Sequence, residues 1–130
     1  MTTKPTYINA ILSLRPNAKC GAIGNNYDSI IWEDTTMSKP TKEEIDAELI
    51  RLTHETTLDA IRSKRNELLK NTDKYSLPDF PHSSPEKKQE WLDYRQSLRD
   101  ITNNLDTTTI TFTIDIDIQF QGLTWPTIPS

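Results

Sequence analysis

The amino-acid sequence predicts an α+β fold, and three patterns along the chain indicate it. Short β-branched segments flank a Gly-Asn turn near the start, helical periodicity fills the middle, and apolar residues alternate with polar ones near the end. We expect an N-terminal helix and β-hairpin, a long broken helix, an antiparallel helical hairpin and a C-terminal amphipathic strand. The corresponding regions are a small N-terminal module at 1–40, a helical region at 41–102, and a strand with a proline-rich tail at 103–130.

The first forty residues predict a helix followed by a β-hairpin. Residues 5–14 place apolar side chains at helical spacing. Residues 18–23 and 29–32 are short and partly β-branched, and residues 24–28 between them include types that tolerate positive φ, as a hairpin turn requires. Because a two-stranded hairpin is marginal alone, we expect it to pack against the helix or a partner, with Trp32 as its anchor.

The middle region predicts two helices separated by a break. Thr41 with Glu44 three residues later forms a capping-box pattern, so a helix is expected to begin there. The apolar stripe loses its spacing at residues 53–57, where three threonines are poor helix formers. The sequence therefore predicts one helix over 41–52 and another over 58–70.

A third helix is predicted over residues 85–101, after a loop that contains two prolines. A serine at 83–84 is expected to cap it, with proline in its first turn. Its apolar stripe consists of Trp91, Tyr94, Leu98 and Ile101. We expect this stripe to face Ile61, Leu68 and Leu69 in an antiparallel helical hairpin.

Residues 107–121 predict a single long strand. Even positions from 110 to 120 are apolar and odd ones are polar, and none of the usual turn residues interrupts them. Its length, roughly 35 Å at ~3.3 Å per residue, exceeds that of most strands, and the chain has no comparable second strand. Two arrangements stay open: the strand pairs with another chain, including possible self-association through residues 107–121, or it joins the N-terminal hairpin in a three-stranded sheet.

Composition limits the chemistry available to the chain. The 130 residues contain three glycines, one cysteine and two histidines, which are too few for a phosphate-binding loop, a structural zinc site or a disulfide framework. The net charge of -4 argues against a nucleic-acid partner, and no apolar run approaches the ~20 residues of a membrane span. We therefore expect no catalytic residue, no metal, no cofactor, no membrane partner and a cytoplasmic location.

Four motifs carry a resemblance to a known family: RNELLKNTD at 65–73, Leu-Pro at 77–78, WLDYRQSLRDI at 91–101 and WPTIP at 125–129. Together they resemble the phage tail assembly chaperone family, also described as tail fibre assembly proteins. The resemblance covers about residues 58–102 plus the terminal Trp-Pro motif. The chain departs from the family pattern at Lys74, where an aromatic residue is usual, and in the long stretch before Trp125.

The resemblance implies a non-enzymatic protein that helps a phage tail, tail-fibre or other structural protein to assemble in the host cytoplasm. The alternative is a structural virion component, a tail or capsid adaptor that stays in the particle through strand pairing. Candidate partner-binding residues are Trp91, Tyr94, Arg95, Arg99, Ile114, Ile116, Ile118, Phe120 and Trp125.

Several of these residues have a second interpretation. Trp91 and Tyr94 are either core residues, which the small number of apolar side chains favours, or a docking patch. Arg95 and Arg99, with Arg65 and nearby aspartates, form either a charged network or ordinary solvated ion pairs. Asp115 and Asp117 share one strand face, and solubilising charge explains them better than a calcium contact.

Overall fold

A computed structural model describes residues 4–130, which form an α+β fold as predicted. The helices are α1 (Tyr7–Leu14), α2 (Lys42–Asn71) and α3 (Pro85–Arg99), with short 3-10 turns at Tyr27–Ser29 and Asp73–Ser76. The strands are β1 (Cys20–Ala22), β2 (Ile30–Trp32), β3 (Thr111–Ile114) and β4 (Ile118–Gln121). The chain divides into two compact units, Met1–Thr56 and Thr57–Ser130.

The N-terminal unit packs α1, the β1–β2 hairpin and the start of α2 around a small core. Its buried members are Tyr7, Ala10, Ile11 and Ile45. Trp32 packs against this cluster while half-buried, and its indole N–H donates to the Met37 carbonyl at 3.1 Å. The antiparallel register places Cys20 opposite Trp32. The predicted helix and hairpin are therefore confirmed, with each element slightly shorter than expected.

The capping box at the start of α2 is also confirmed. The Thr41 hydroxyl accepts the Glu44 backbone N–H at 3.1 Å, and the Glu44 carboxylate accepts the Thr41 N–H at 3.0 Å. Two of the backbone donors that a helix start leaves unpaired are thus satisfied by local side chains.

The predicted break at residues 53–57 is wrong, because α2 continues through it as one helix of 30 residues. The Thr53 hydroxyl donates to the Leu49 carbonyl one turn earlier at 2.7 Å, so this polar group is satisfied without leaving the helix. Thr57 and Ile61 are buried in the second unit. Such burial outweighs a threonine propensity cost of about half a kcal/mol per residue.

The C-terminal unit is built around α3. Trp91, Tyr94 and Leu98 are buried together, and the partly buried side chains packed against them are Leu68, Leu69, Tyr75 and Trp125. The helix starts at a cap on Ser84, whose hydroxyl accepts the Lys87 N–H at 3.1 Å. The end of α2 thus packs on α3, while the antiparallel pairing of the two helices stays a prediction.

The predicted single strand is wrong: residues 111–121 fold back on themselves as the β3–β4 hairpin. Phe112 pairs with Phe120 and Ile114 with Ile118, leaving residues 115–117 as the turn. The three-stranded alternative is wrong as well, since the described strands form two separate two-stranded sheets. The even-numbered residues of β3 and β4 nevertheless share one face, as the alternation predicted.

Aspartate chemistry closes this turn without glycine or asparagine. The Asp117 carboxylate accepts the Ile118 backbone N–H at 2.8 Å, and the Asp115 N–H donates to the Asp117 carbonyl at 3.0 Å. Lys64 of α2 forms an ion pair with the same Asp117 carboxylate. Aspartate side chains that bond to nearby backbone are a recognised means of turning a chain.

Gly122 ends the hairpin where only glycine fits. Its φ is +81°, a left-handed conformation that side chains disfavour. A Cβ atom at this position would lie 2.3 Å from the Thr109 carbonyl oxygen, which belongs to the segment entering β3. Gly122 therefore allows the chain leaving the hairpin to pass close to the chain entering it.

Candidate protein-interaction site

Arg95 joins α3 to the end of α2. Its side chain is 8% exposed, and it donates to the Leu69 carbonyl at 2.7 Å, the Thr72 hydroxyl at 2.9 Å and the Asp73 carboxylate at 2.8 Å. The last four carbonyls of a helix lack intrahelical donors, and a cation nearby also interacts favourably with the helix dipole. Arg95, which belongs to α3, therefore caps the C-terminal end of α2.

An aromatic layer follows this junction. The Tyr75 ring stacks on Trp91 with centroids 3.8 Å apart and planes 10° apart, and Phe80 meets Tyr75 edge-on at 4.9 Å. His82 Nε2 lies 2.9 Å from the Tyr75 carbonyl oxygen. The sequence interpretation missed Tyr75 and Phe80. Their spacing in the proline-containing loop, with His82 beside them, was the available signal.

The structure separates the predicted partner-binding residues into two groups. Trp91, Tyr94 and Arg95 lie in the buried junction, and burial raises the pKa of the Tyr94 hydroxyl. Arg99 is exposed and donates to Gln96 at 3.1 Å without joining Arg95. Burial favours the core interpretation of Trp91 and Tyr94. Of the two interpretations of the charged residues, separate pairs are favoured over a network, since Arg95 pairs with Asp73 while Arg65 is bonded to Asn66.

The remaining candidates lie on the β3–β4 hairpin and the tail. The Phe112 and Phe120 ring centroids are 6.1 Å apart, and Trp125 from the tail meets Phe120 edge-on at 5.7 Å. Trp125 also packs against the Trp91 cluster, so it connects the hairpin to the core. Ile118 is half-buried.

Exposure rises steadily along the apolar face towards the turn. Ile110 at the base is 6% exposed, Ile114 is 41% exposed and Ile116 in the turn is 100% exposed. We call residues 114–118 the hairpin tip. It presents two large aliphatic side chains to solvent, which singly would be ordinary but together form a protruding apolar feature.

The two aspartates of the hairpin tip differ in their partners. The hydrogen bond from Lys64 lowers the pKa of Asp117, and the Ile118 N–H adds to this effect. Asp115 is exposed, and its carboxylate has no hydrogen bond or ion pair within residues 4–130. Within the same residues no group of three or more metal-ligating side chains occurs.

Taken together, these features describe an exposed apolar hairpin tip carried by a unit in which α2 and α3 are joined by packing and hydrogen bonds. A family model described as phage tail assembly chaperone protein matches residues 58–130, which is 73 of the 130 residues, and the chain belongs to this family. The match includes Arg95, the aromatic layer and the whole hairpin, and begins just after the N-terminal unit.

No curated protein and no solved structure matches the chain. None of the helices in the described part of the chain is long and apolar enough to cross a membrane.

Proposed function

We propose that this protein is a non-enzymatic assembly chaperone or adaptor that contacts a phage tail or tail-fibre protein in the host cytoplasm. Membership of the family indicates a role as a phage tail assembly chaperone. The observation that supports action by protein contact is the hairpin tip, where Ile114 and Ile116 are exposed within the family-matched segment. Burying an exposed aliphatic side chain at an interface stabilises the complex by about 1.5–3 kcal/mol.

The hairpin also offers backbone groups for strand pairing. β3 and β4 pair only with each other among the described strands, so each has one outer edge. An unpaired strand edge of a client could add to such an edge, while the apolar tip covers client surface that later becomes buried in the assembled tail. Shielding of this kind limits aggregation before the client meets its own partners.

Co-expression tests the proposed function. Each tail protein of the phage that encodes this chain is produced with and without it, and the soluble fraction is measured together with co-elution in size-exclusion chromatography with light scattering. We expect at least one tail or tail-fibre protein to become more soluble and to co-elute. No change for any of them would contradict the proposal.

Mass spectrometry of purified particles decides between a chaperone and a permanent component. Absence from the particle, combined with the solubility effect, supports a chaperone that dissociates. Presence in a fixed ratio to the tail proteins would instead make the protein a virion component.

A further inference from the structure

We propose that the hairpin tip inserts into an apolar recess with a basic rim on the tail protein that this chain assists. This inference rests on the proposed function and specifies the partner surface. It follows from the shape, the hydrophobicity and the charge of residues 114–118.

The shape requires a concave partner. Exposure increases from 6% at Ile110 to 41% at Ile114 and 100% at Ile116, so the isoleucine side chains at the end of the hairpin lie outside the core that covers its base. Trp125 meets the apolar face at Phe120, which pairs with Phe112 two residues before Ile114. A flat surface could touch Ile116 alone, whereas a recess buries both isoleucines.

The charge of the tip identifies the rim. Lys64 neutralises Asp117 and holds it against the turn, so this carboxylate already has an ion-pair partner within the protein. Asp115 is exposed without a side-chain partner among residues 4–130. One uncompensated negative charge therefore sits beside the apolar side chains, and a lysine or arginine at the rim of the recess complements it.

The same charge disfavours a second copy of this chain as the occupant. A two-fold contact between two tips uses the same patch on both copies and brings one Asp115 towards the other. Like charges placed together oppose association, and the net charge of -4 adds to the repulsion. A partner with basic residues meets neither obstacle.

The test uses the full chain and, as probe, the purified tail protein whose solubility it raises. Binding is measured by titration calorimetry for the wild type, Ile116→Ser and Asp115→Lys. Thr113→Lys is the control, since it also introduces a lysine, but on the exposed polar face of β3 and without removing a carboxylate. Circular dichroism checks that every variant is folded.

We expect Ile116→Ser to weaken binding about tenfold or more, as loss of a buried aliphatic group does. Asp115→Lys should weaken it by a similar factor and reduce its dependence on salt, while Thr113→Lys stays within about twofold of the wild type. Equal affinity of all four proteins would overturn the tip proposal and leave the proposed function standing.

Two further outcomes are decisive. A wild type that binds none of the tail proteins would overturn the tip proposal together with the proposed function. A dimer in sedimentation equilibrium that Ile116→Ser returns to monomer would show that a second copy occupies the tip, and this too would overturn the proposal.

Discussion

Replacing Arg95 by methionine should destabilise the C-terminal unit strongly, although the change keeps a long side chain. The guanidinium holds the end of α2 through the Leu69 carbonyl, the Thr72 hydroxyl and the Asp73 carboxylate. Methionine fills much of the same space and makes none of these bonds. The loss therefore falls on the hydrogen bonds rather than on packing.

The size of the expected loss of unfolding free energy depends on which hydrogen bonds the partners of Arg95 keep after the change. A hydrogen bond from a charged donor contributes about 1.5–3 kcal/mol, so three bonds set an upper limit that is never reached in full. After the change the Leu69 carbonyl still accepts the Thr72 backbone N–H at 3.1 Å, and the Asp73 carboxylate, whose side chain is 64% exposed, is hydrated instead. Removing a buried guanidinium also avoids its desolvation cost. A net loss of about 2–3 kcal/mol remains.

Arg99→Met is the matched control, because Arg99 lies on the same helix and is exposed with one bond to Gln96. Its effect on the free energy of unfolding should stay within about 0.5 kcal/mol. Urea unfolding followed by near-ultraviolet circular dichroism, which reports on the stacked Tyr75–Trp91 pair, measures both variants. Equal midpoints for the two variants would refute the structural role assigned to Arg95.

Three more predictions concern stability. Gly122→Ala should lower the free energy of unfolding by about 2 kcal/mol or more. Gly21→Ala, where an added Cβ meets nothing within 4 Å, should raise it by about 0.5 kcal/mol. Thermal unfolding midpoints that move in the same direction for both variants would contradict this. Thr41→Ala should cost about 1 kcal/mol in urea unfolding through loss of the capping box, and an unchanged midpoint would reject it. Lys64 lowers the pKa of Asp117 in the folded state, so this carboxylate stabilises the fold above its unfolded pKa of about 4, and the contribution is lost as pH falls below it. Asp117→Asn should therefore lose less stability than the wild type on acidification below about pH 5, and identical pH profiles in urea unfolding would disprove the contribution.

Local chemistry was predictable from the sequence, and interactions between distant residues were not. The capping box depends on two residues three positions apart, so the pattern at Thr41 and Glu44 was sufficient. The alternation along residues 110–120 correctly assigned apolar and polar faces. The break expected in α2 was wrong because threonine propensity is small compared with burial in the folded unit, and the burial of Thr57 could not be known in advance.

The hairpin turn was not predicted either, and again a distant residue is part of the reason. Its residues lack the usual Asn-Gly pattern, and Asp117 is held in part by Lys64, which lies 53 positions earlier. The excessive length of the predicted strand was a warning that the segment folds back. For the candidate site, the small number of apolar side chains favoured a core position for Trp91 and Tyr94 over a docking patch, and both are buried. The role of Arg95 depends on the carbonyls of another helix, and the full exposure of Ile116 depends on a turn that was not predicted.

The family-matched segment begins at Leu58, inside α2 rather than at its start. A shortened protein that began there would expose four backbone N–H groups in mid-helix and lose the distant Thr41 cap. The 14 helical residues left from Leu58 to Asn71 would be marginal without tertiary contacts. Starting one residue earlier retains Thr57, whose side chain is of a type that caps helices. For recombinant expression of the tail-assembly portion, the choice between these two first residues should therefore decide how well its first helix forms.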